Sequence, residues 1–362
     1  MIRQELVEEE RWISKERFNR VLAVYQVLPG PEAHELCVYF GRLAGGRLGG
    51  FLAGLGFMLP GLLFMLALSW LYVAVGISSP LFQAVFAGCQ AAVVALIVRA
   101  VHRIGGHALT DGWLWGMAVL AAVAQWAGIH FLWTLAFTGA AYSFLKRGRR
   151  PAAMAVCAAF LAVAFFSLRN EGSAGSVSMV AVPGAPLEVS VLGLFGSGLR
   201  GGLLTFGGAY TAIPFLQHDA VEVGRWMTNA QFLDGLALSG ILPAPLIIFG
   251  TFVGYVGGGL PGALAVTVGI FLPAFAFTLI GYDLMERFID NAALHGFLDG
   301  VTAGVVGLIA ATAMGLFQAA IRSWPAAVIF GLSLLLLYRW KTKAAVPAVV
   351  AGAGILGLLV FR

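Results

Sequence analysis

Two Leu-Pro-x-Pro segments are the residues whose types and spacing point most directly to a binding site. Leu28-Pro29-Gly30-Pro31 and Leu242-Pro243-Ala244-Pro245 each place two prolines in the middle of an apolar run of helix length. Proline removes a backbone donor and disfavours helical geometry in the residue before it, so each run is predicted to break into two half-helices. Unwound backbone at membrane depth must line a cavity or be buried in protein, and paired breaks indicate a substrate site. A simple proline kink is the alternative.

Arg200 and the glycines that follow it form a second candidate site. The arginine lies about 12 residues into the apolar run at 189–216, and Thr205-Phe206-Gly207-Gly208 and Tyr210 come after it. An arginine at membrane depth is costly and is by default a functional candidate, and glycine lets backbone amides approach an anion. These residues are therefore predicted to bind an oxyanion. Alternatively, Arg200 snorkels or pairs with a carboxylate such as Asp234, and the glycines serve helix packing.

Acidic residues flank the two proline segments. Glu32 and His34 follow the first segment, and Asp234 precedes the second. Desolvation at membrane depth favours the neutral form of a carboxyl group, which suits proton coupling. For Glu32, capping of a helix dipole and pairing with a cation are equal alternatives. We group Glu32, His34, Asp234 and Arg225 as candidates for coupling or gating.

Enzymatic and nucleotide-driven chemistry has no visible basis in the sequence. The six histidines lack metal-ligand spacing, and neither a Walker A sequence nor a Gly-x-Ser-x-Gly motif occurs. We therefore expect no catalysis, no metal and no cofactor. The basic residues, 22 against 17 acidic ones, lie largely beside the apolar runs, which indicates membrane orientation and not nucleic-acid binding.

Composition places the chain in the membrane. Hydrophobic residues make up 60% of it and charged residues 11%, with a mean hydropathy of +0.91. A soluble core cannot hide so much apolar surface, and lipid-exposed backbone must form helices. The apolar runs between charged residues or Gly/Pro punctuation give about 12 candidate spans. The predicted class is an all-α polytopic membrane protein in contact with the lipid bilayer.

The chain carries one pattern twice. Internal repeats in a membrane protein are typical of secondary transporters. We divide the chain into a first repeat at 1–150, a linker helix and external loop at 151–188, and a second repeat at 189–362. About 214 residues separate the matching positions, at which Arg11-Trp12, Phe18, Leu28-Pro29 and Leu59-Pro60 recur as Arg225-Trp226, Phe232, Leu242-Pro243 and Leu272-Pro273.

Positive charge orients the repeats. With the basic cluster at 146–150 in the cytoplasm, the charged loop at 41–47 is also cytoplasmic, whereas its uncharged partner at 254–259 is external. Two inverted repeats of about six helices each are therefore predicted, with the linker helix between them. Arg225 is expected in the cytoplasm, and only the N-terminal charged cluster disagrees. The first repeat lacks a counterpart of the helix at 189–216. Either that helix belongs to a longer reading frame, which we expect, or this version of the protein has lost it.

The motifs together resemble the chromate ion transporter family. The run at 5–13 and Leu28-Pro29-Gly30-Pro31-Glu32-Ala33 are similar to the first half of that family. The runs at 204–210, 234–237 and 242–246 are similar to its second half. The similarity spans nearly the whole chain and is specific as a combination. A Phe-Gly-Gly-Pro segment that opens the first half of the family is missing here.

The resemblance implies export of chromate, a tetrahedral dianion, across the bacterial inner membrane, and hence chromate resistance. It implies alternating access around a site between the repeats. Arg200 and the amides near Gly207 and Gly30 would neutralise the dianion, and Phe206 and Tyr210 would line its path. Sulfate, which has the same charge and geometry, is a further candidate substrate, and a homodimer is a candidate assembly. The same sequence also fits an anion channel or an inactive membrane protein.

Overall fold

The chain folds into a bundle of helices, some of which are long enough to cross a membrane. A computed structural model describes residues 12–14, 18, 21–22, 25, 30–76, 79–170, 189–206, 208–281, 292–340, 342 and 344–361. Within these residues there is no strand. Four helices of the same part are long and apolar enough to cross a bilayer, at Glu32–Val75, Pro80–Ala108, Leu246–Leu279 and His295–Ala320. The predicted all-α polytopic class is confirmed.

Twelve α-helices lie in the described residues, and we number them in chain order. They are α1 (Glu32–Leu71), α2 (Pro80–Ala108), α3 (Gly112–Trp126), α4 (Phe131–Lys146), α5 (Arg150–Asn170), α6 (Val191–Leu203), α7 (Ile213–Gln217), α8 (Asn229–Ile241), α9 (Phe249–Leu279), α10 (Ala292–Ala320), α11 (Trp324–Arg339) and α12 (Ala345–Val360). Short 3-10 turns at Ala209–Ala212 and Leu246–Ile248 precede α7 and α9, and π-helical turns at Tyr72–Gly76 and His218–Val223 follow α1 and α7.

Two glycine pairs fold α1 and α9 into helical hairpins. Gly45-Gly46 interrupts α1 with φ,ψ of −139°, 27° and 64°, −154°. Gly258-Gly259 interrupts α9 with nearly the same values, −159°, 26° and 60°, −149°. The second conformation of each pair is essentially restricted to glycine. Beyond each turn the chain runs back along itself, so that Gly41 packs against Gly49 and the matching glycines of α9 do the same.

The two hairpin turns lie at opposite ends of the molecule. The second arm of α9, at 260–279, starts at the Gly258-Gly259 turn and extends for about 30 Å. At its far end, Arg42 of the first hairpin donates a 2.7 Å hydrogen bond from Nη1 to the Thr278 carbonyl oxygen. We call that end the Arg42 face, and the end with Gly258-Gly259 and Trp226 the Trp226 face. Because α1 and α9 are copies, the two repeats are inverted.

Three further helices of the first repeat, α2, α3 and α4, match α10, α11 and α12 of the second. Helices α2 and α10 each have 29 residues, and α4 and α12 each have 16. Helix α10 packs against α3 and α4 of the first repeat, while α2 packs against α11 and α12 of the second. The closest approaches correspond too, since β-carbons at Gly88 and Gly300 would collide with the carbonyl oxygens of Ala353 and Thr138. Each repeat therefore packs its long helix, α2 or α10, against the last two helices of the other repeat, and the two arrangements are related by a pseudo-two-fold axis.

Helix α6 does not continue across the molecule. A β-carbon at Gly201 would lie 3.3 Å from the Leu216 side chain. Fifteen residues of continuous helix would separate these positions by about 22 Å. The chain therefore reverses after α6 and returns through α7. The predicted single span at 189–216 is wrong, because the break after α6 turns that run into a re-entrant hairpin.

The second Leu-Pro-x-Pro segment reverses the chain in the same way. Helix α8 ends at Ile241, the residues at 242–245 are not helical, and α9 begins at Phe249. Trp226, which precedes α8, donates a 3.3 Å hydrogen bond from Nε1 to the Val253 carbonyl oxygen in the first arm of α9. The predicted break is confirmed, and the chain enters and leaves on the Trp226 face.

The predicted orientations of Arg225 and of the α9 turn conflict because these segments turn back. Arg225 adjoins Trp226 and therefore lies on the Trp226 face, on the same side as the hairpin turn of α9 that was predicted to be external. A cytoplasmic Arg225 and an external turn at 254–259 therefore cannot both hold. Trp12, beside the charged N-terminal cluster, stacks near Phe40 of the first hairpin at 6.3 Å between ring centroids. It lies on the Arg42 face, whereas the cluster itself is outside the described residues.

Candidate functional site

Three non-helical segments meet between the repeats. The Gly30 amide nitrogen donates a 2.8 Å hydrogen bond to the Thr205 carbonyl oxygen, which joins the first Leu-Pro-x-Pro segment to the break after α6. The 3-10 turns before α7 and α9 contact each other. Ala244 lies against Gly61 of α1. We call this meeting point, made of residues 30–31, 204–206, 208–212 and 242–248, the hairpin junction. It contains Pro31, Pro243 and Pro245, whereas Pro29 and Gly207 lie outside the described residues.

Side-chain hydroxyls hold the break after α6 in shape. The Thr205 hydroxyl donates to the Gly201 carbonyl oxygen at 2.6 Å. The Thr211 hydroxyl accepts from the Phe206 amide at 3.0 Å and donates to the Gly208 carbonyl oxygen at 2.7 Å. Thr205, Phe206 and Thr211 are all buried. Gly208 takes φ of 137°, which few other residues adopt, so the backbone at Thr205, Phe206 and Gly208 is held in a non-helical conformation.

Two arginines of α2 approach this loop. Arg99 and Arg103 lie one helical turn apart, and both interact electrostatically with the Tyr210 hydroxyl. Arg99 is partly buried, and neither arginine forms an ion pair with a described residue. Both lie in the last third of α2, toward the Arg42 face. Uncompensated positive charge is therefore concentrated on that side of the hairpin junction.

Arg200 is occupied by a carboxylate of its own hairpin. Its Nε and Nη2 donate to Asp219 Oδ2 at 3.1 and 2.8 Å. The Asp219 side chain is only 8% exposed, so this pair links α6 to the returning chain at a largely buried point. Pairing with a carboxylate was one of the two interpretations of Arg200, but the partner is Asp219 and not Asp234. The positive charge of Arg200 is thus already compensated.

Asp234 lies in a different constellation that spans the two repeats. Its Oδ2 accepts a 2.7 Å hydrogen bond from the Tyr72 hydroxyl, and its Oδ1 accepts one of 2.8 Å from Gln90 Nε2. Asp234 is 6% exposed. It lines a cavity of about 280 Å³ together with these two residues and with Gln83, Phe86, Thr228, Ala230 and Gln231.

The first turns of α1 carry buried polar groups beside Gly30. His34 and Glu35 are fully buried. The His34 ring lies among phenylalanines, 4.8 Å from Phe271 and 4.7 Å from Phe275 between centroids. The Glu35 carboxylate contacts Gly30, and no described residue hydrogen-bonds to it. Glu32 opens the helix at the hairpin junction itself.

Comparison with known proteins identifies the family. The chain matches the chromate transporter family over residues 1–181 and 192–358. The chain belongs to the chromate transporter family. A chromate transport protein of Pseudomonas aeruginosa is 55% identical over 372 residues, covering 100% of this chain and 87% of the relative. A chromate transport protein of Cupriavidus metallidurans is 30% identical, covering 99% and 86%. A probable chromate transport protein of Synechococcus elongatus is 27% identical, covering 98% and 88%. No solved structure matches.

In this member of the chromate transporter family, the structure brings together only part of the predicted site. Gly30, Thr205, Phe206, Tyr210 and the second proline segment meet at the hairpin junction. Arg200 is not part of the junction, because its guanidinium is paired with Asp219. Asp234 lines a separate cavity. Arg225 is exposed on the Trp226 face, with φ of 51°.

Sequence reasoning missed the residues that complete both constellations. Arg99 and Arg103 count in the sequence only among the basic residues beside the apolar runs, which indicate membrane orientation. In fact α2 has 29 residues, so Arg99 lies about 14 Å before its end, inside the bundle. Tyr72 and Gln90 gave no signal, because their role depends on a contact with α8 that no local pattern encodes. The unusual length of the charge-free run before Arg99 was the one available clue.

Proposed function

We propose that the protein carries chromate out of the bacterial cytoplasm across the inner membrane, and so confers chromate resistance. The observation that carries this proposal is the hairpin junction, where the Gly30 amide meets the Thr205 carbonyl oxygen. Two arginines that have no ion-pair partner among the described residues lie within electrostatic range of Tyr210 in the same loop. The names of the related chromate transport proteins support chromate as the substrate.

The chemistry of the junction suits a dianion. Chromate must lose its water shell to enter, and that cost requires several donors and more than one positive charge. Arg99 and Arg103 supply two charges on one side of the loop at 204–212, and Tyr210 adds a hydroxyl. Partly exposed backbone at the break near Gly208 would add amide donors that need no reorganisation.

The inverted architecture supports alternating access. Each repeat contributes a broken segment, and the breaks at Gly30 and Thr205 meet at one place. Rocking of one repeat against the other would open the junction first to the Arg42 face and then to the Trp226 face. Lys146, at the end of α4, pairs with Asp299 in the first turns of α10, the helix that follows α9 in the chain. The positive cluster at 146–150 supports a cytoplasmic Arg42 face. Glu32 and His34 at the junction, and Asp234 beside it, are the proposed coupling residues.

The positions of Arg200 and Arg225 support indirect roles. Arg200 clasps its hairpin through Asp219 and holds the loop at 204–212 in place without touching the anion. Arg225 marks the outer mouth of the re-entrant segments. The lipid bilayer is the surrounding solvent for the exposed apolar residues of α3, α6 and α11.

Transport is tested in lipid vesicles that contain the purified full chain and are supplied with radiolabelled chromate. We expect saturable uptake that accelerates when unlabelled chromate is trapped inside, since a carrier exchanges its substrate. Uptake that rises linearly without exchange would indicate a channel. Complete absence of protein-dependent uptake would remove the proposal. Sulfate added in excess measures selectivity, because a tetrahedral dianion of the same charge competes if the site reads only charge and shape.

A further inference from the structure

The partners of Asp234 suit one ligand, a proton. The carboxylate is held by two neutral donors, the Tyr72 hydroxyl and the Gln90 amide, with no cation among the described residues. A hydroxyl can turn from donor to acceptor, so Tyr72 can hydrogen-bond to Asp234 in both of its protonation states. A metal cation would instead need several oxygen ligands at the carboxylate. The described residues hold no cluster of three acidic, histidine or cysteine side chains suited to a metal.

The surroundings of Asp234 leave its charge without a compensating group. Among the groups that face it, Tyr72 and Cys89 can titrate, and both are neutral when protonated. Helix α12, which packs against α8, has no titratable residue, and α9 has only Tyr255. The acidic Asp299 of α10 is paired with Lys146. Binding of a proton to the Asp234 carboxylate would therefore neutralise the charge in the cavity.

The cavity of Asp234 opens to the opposite side from the arginines of the hairpin junction. Its lining residues Thr228 and Ala230 are exposed at the start of α8, next to the Trp226 face. Arg99 and Arg103 stand toward the Arg42 face. We infer that Asp234 takes up a proton from the Trp226 face and that this proton is exchanged for chromate leaving the cytoplasm. This inference rests on the proposed transport function.

The geometry also gives a route by which the proton acts on the substrate. Asp234 belongs to α8, whose end forms part of the hairpin junction, whereas Tyr72 and Gln90 belong to the first repeat. In the step itself, hydronium at the Trp226 face gives its proton to one carboxylate oxygen of Asp234, and Tyr72 turns to accept. The reverse transfer to water releases the proton on the Arg42 face. Protonation therefore replaces a charge-assisted hydrogen bond between the repeats with a neutral one, which is weaker.

The test uses the full chain in vesicles with two readouts. The first is exchange of labelled for unlabelled chromate at equal pH on both sides. The second is accumulation of chromate against its gradient when a pH difference is imposed. We expect Asp234→Asn, which keeps the side-chain size, to retain exchange and to lose the accumulation driven by pH. Asp299→Asn, an exposed carboxylate on the other side of the bundle, is the matched control and should retain both.

A second variant, Tyr72→Phe, tests the inference even if Asp234→Asn does not fold. Tyr72→Phe keeps the ring packing and removes one donor to the charged carboxylate, so the pH profile of transport should move to higher pH by about one unit. Accumulation that persists in Asp234→Asn, or a pH profile that stays in place in Tyr72→Phe, overturns the inference. Loss of exchange in the unmodified protein overturns the proposed function instead, so the two failures are distinct.

Discussion

The Gly30 amide nitrogen donates a 2.8 Å hydrogen bond to the carbonyl oxygen of Thr205, and these two residues belong to opposite repeats. One lies at the break of a hairpin that enters from the Arg42 face. The other lies at the tip of a hairpin that enters from the Trp226 face. A backbone bond between two broken segments fixes the place where inverted halves meet, and it is the structural basis of the proposed anion site.

The glycine turns make a prediction about stability. Gly259→Ala forces a β-carbon into φ of 60° and ψ of −149°, so we expect a loss of about 1–3 kcal/mol. Gly46→Ala should cost a similar amount, because its backbone is nearly identical. Gly56→Ala is the control, since it is helical, has open space around it and gains helix propensity. The apparent melting temperature in detergent measures all three, and an equal response of Gly56→Ala and Gly259→Ala contradicts the prediction.

The re-entrant segments make a prediction about sidedness. After replacement of the three native cysteines, Arg225→Cys should react with a membrane-impermeant maleimide on intact cells, because Arg225 lies on the Trp226 face. Arg149→Cys, an exposed position after α4, should react only once the cells are opened. Labelling of both positions from the same side would show that the segment after α6 crosses the membrane after all.

The clasp between Arg200 and Asp219 makes a prediction about coupling. Arg200→Gln should destabilise more than Asp219→Asn, because it leaves a nearly buried carboxylate without its partner. The double variant should recover about 1 kcal/mol relative to the sum of the single changes. The free energies of unfolding of the unmodified protein, the two single variants and the double variant give this double-mutant cycle. If Arg200→Gln instead abolishes chromate binding at unchanged stability, Arg200 contacts the anion.

Much of the architecture was visible in the sequence. The spacing of Leu59-Pro60 and Leu272-Pro273, with the glycines before them, predicted a duplicated unit, and both copies form the same hairpin. The second proline segment predicted a broken helix, and α8 ends there. These features are local, because proline and glycine act on their own backbone. Local rules of this kind can be read from a sequence with no knowledge of packing.

The direction of the chain after each break was not visible. Hydropathy counts an apolar run at 189–216 as one crossing, whether it continues or turns back. The reversal depends on the pair of Arg200 with Asp219 and on the packing of Gly201 against Leu216, which are contacts between distant residues. For the same reason, Arg99 was interpreted as a marker of the membrane surface. Only the fold brings it beside Tyr210.

Equilibrium binding of radiolabelled chromate to Arg99→Gln tests the central claim most directly. If the hairpin junction is the anion site, loss of this partly buried positive charge should weaken binding by about ten-fold or more, and salt should reduce the difference. Arg149→Gln removes the same charge from an exposed position near the same face and should bind as the unmodified protein does. Equal affinity of the two variants at low salt would contradict the account.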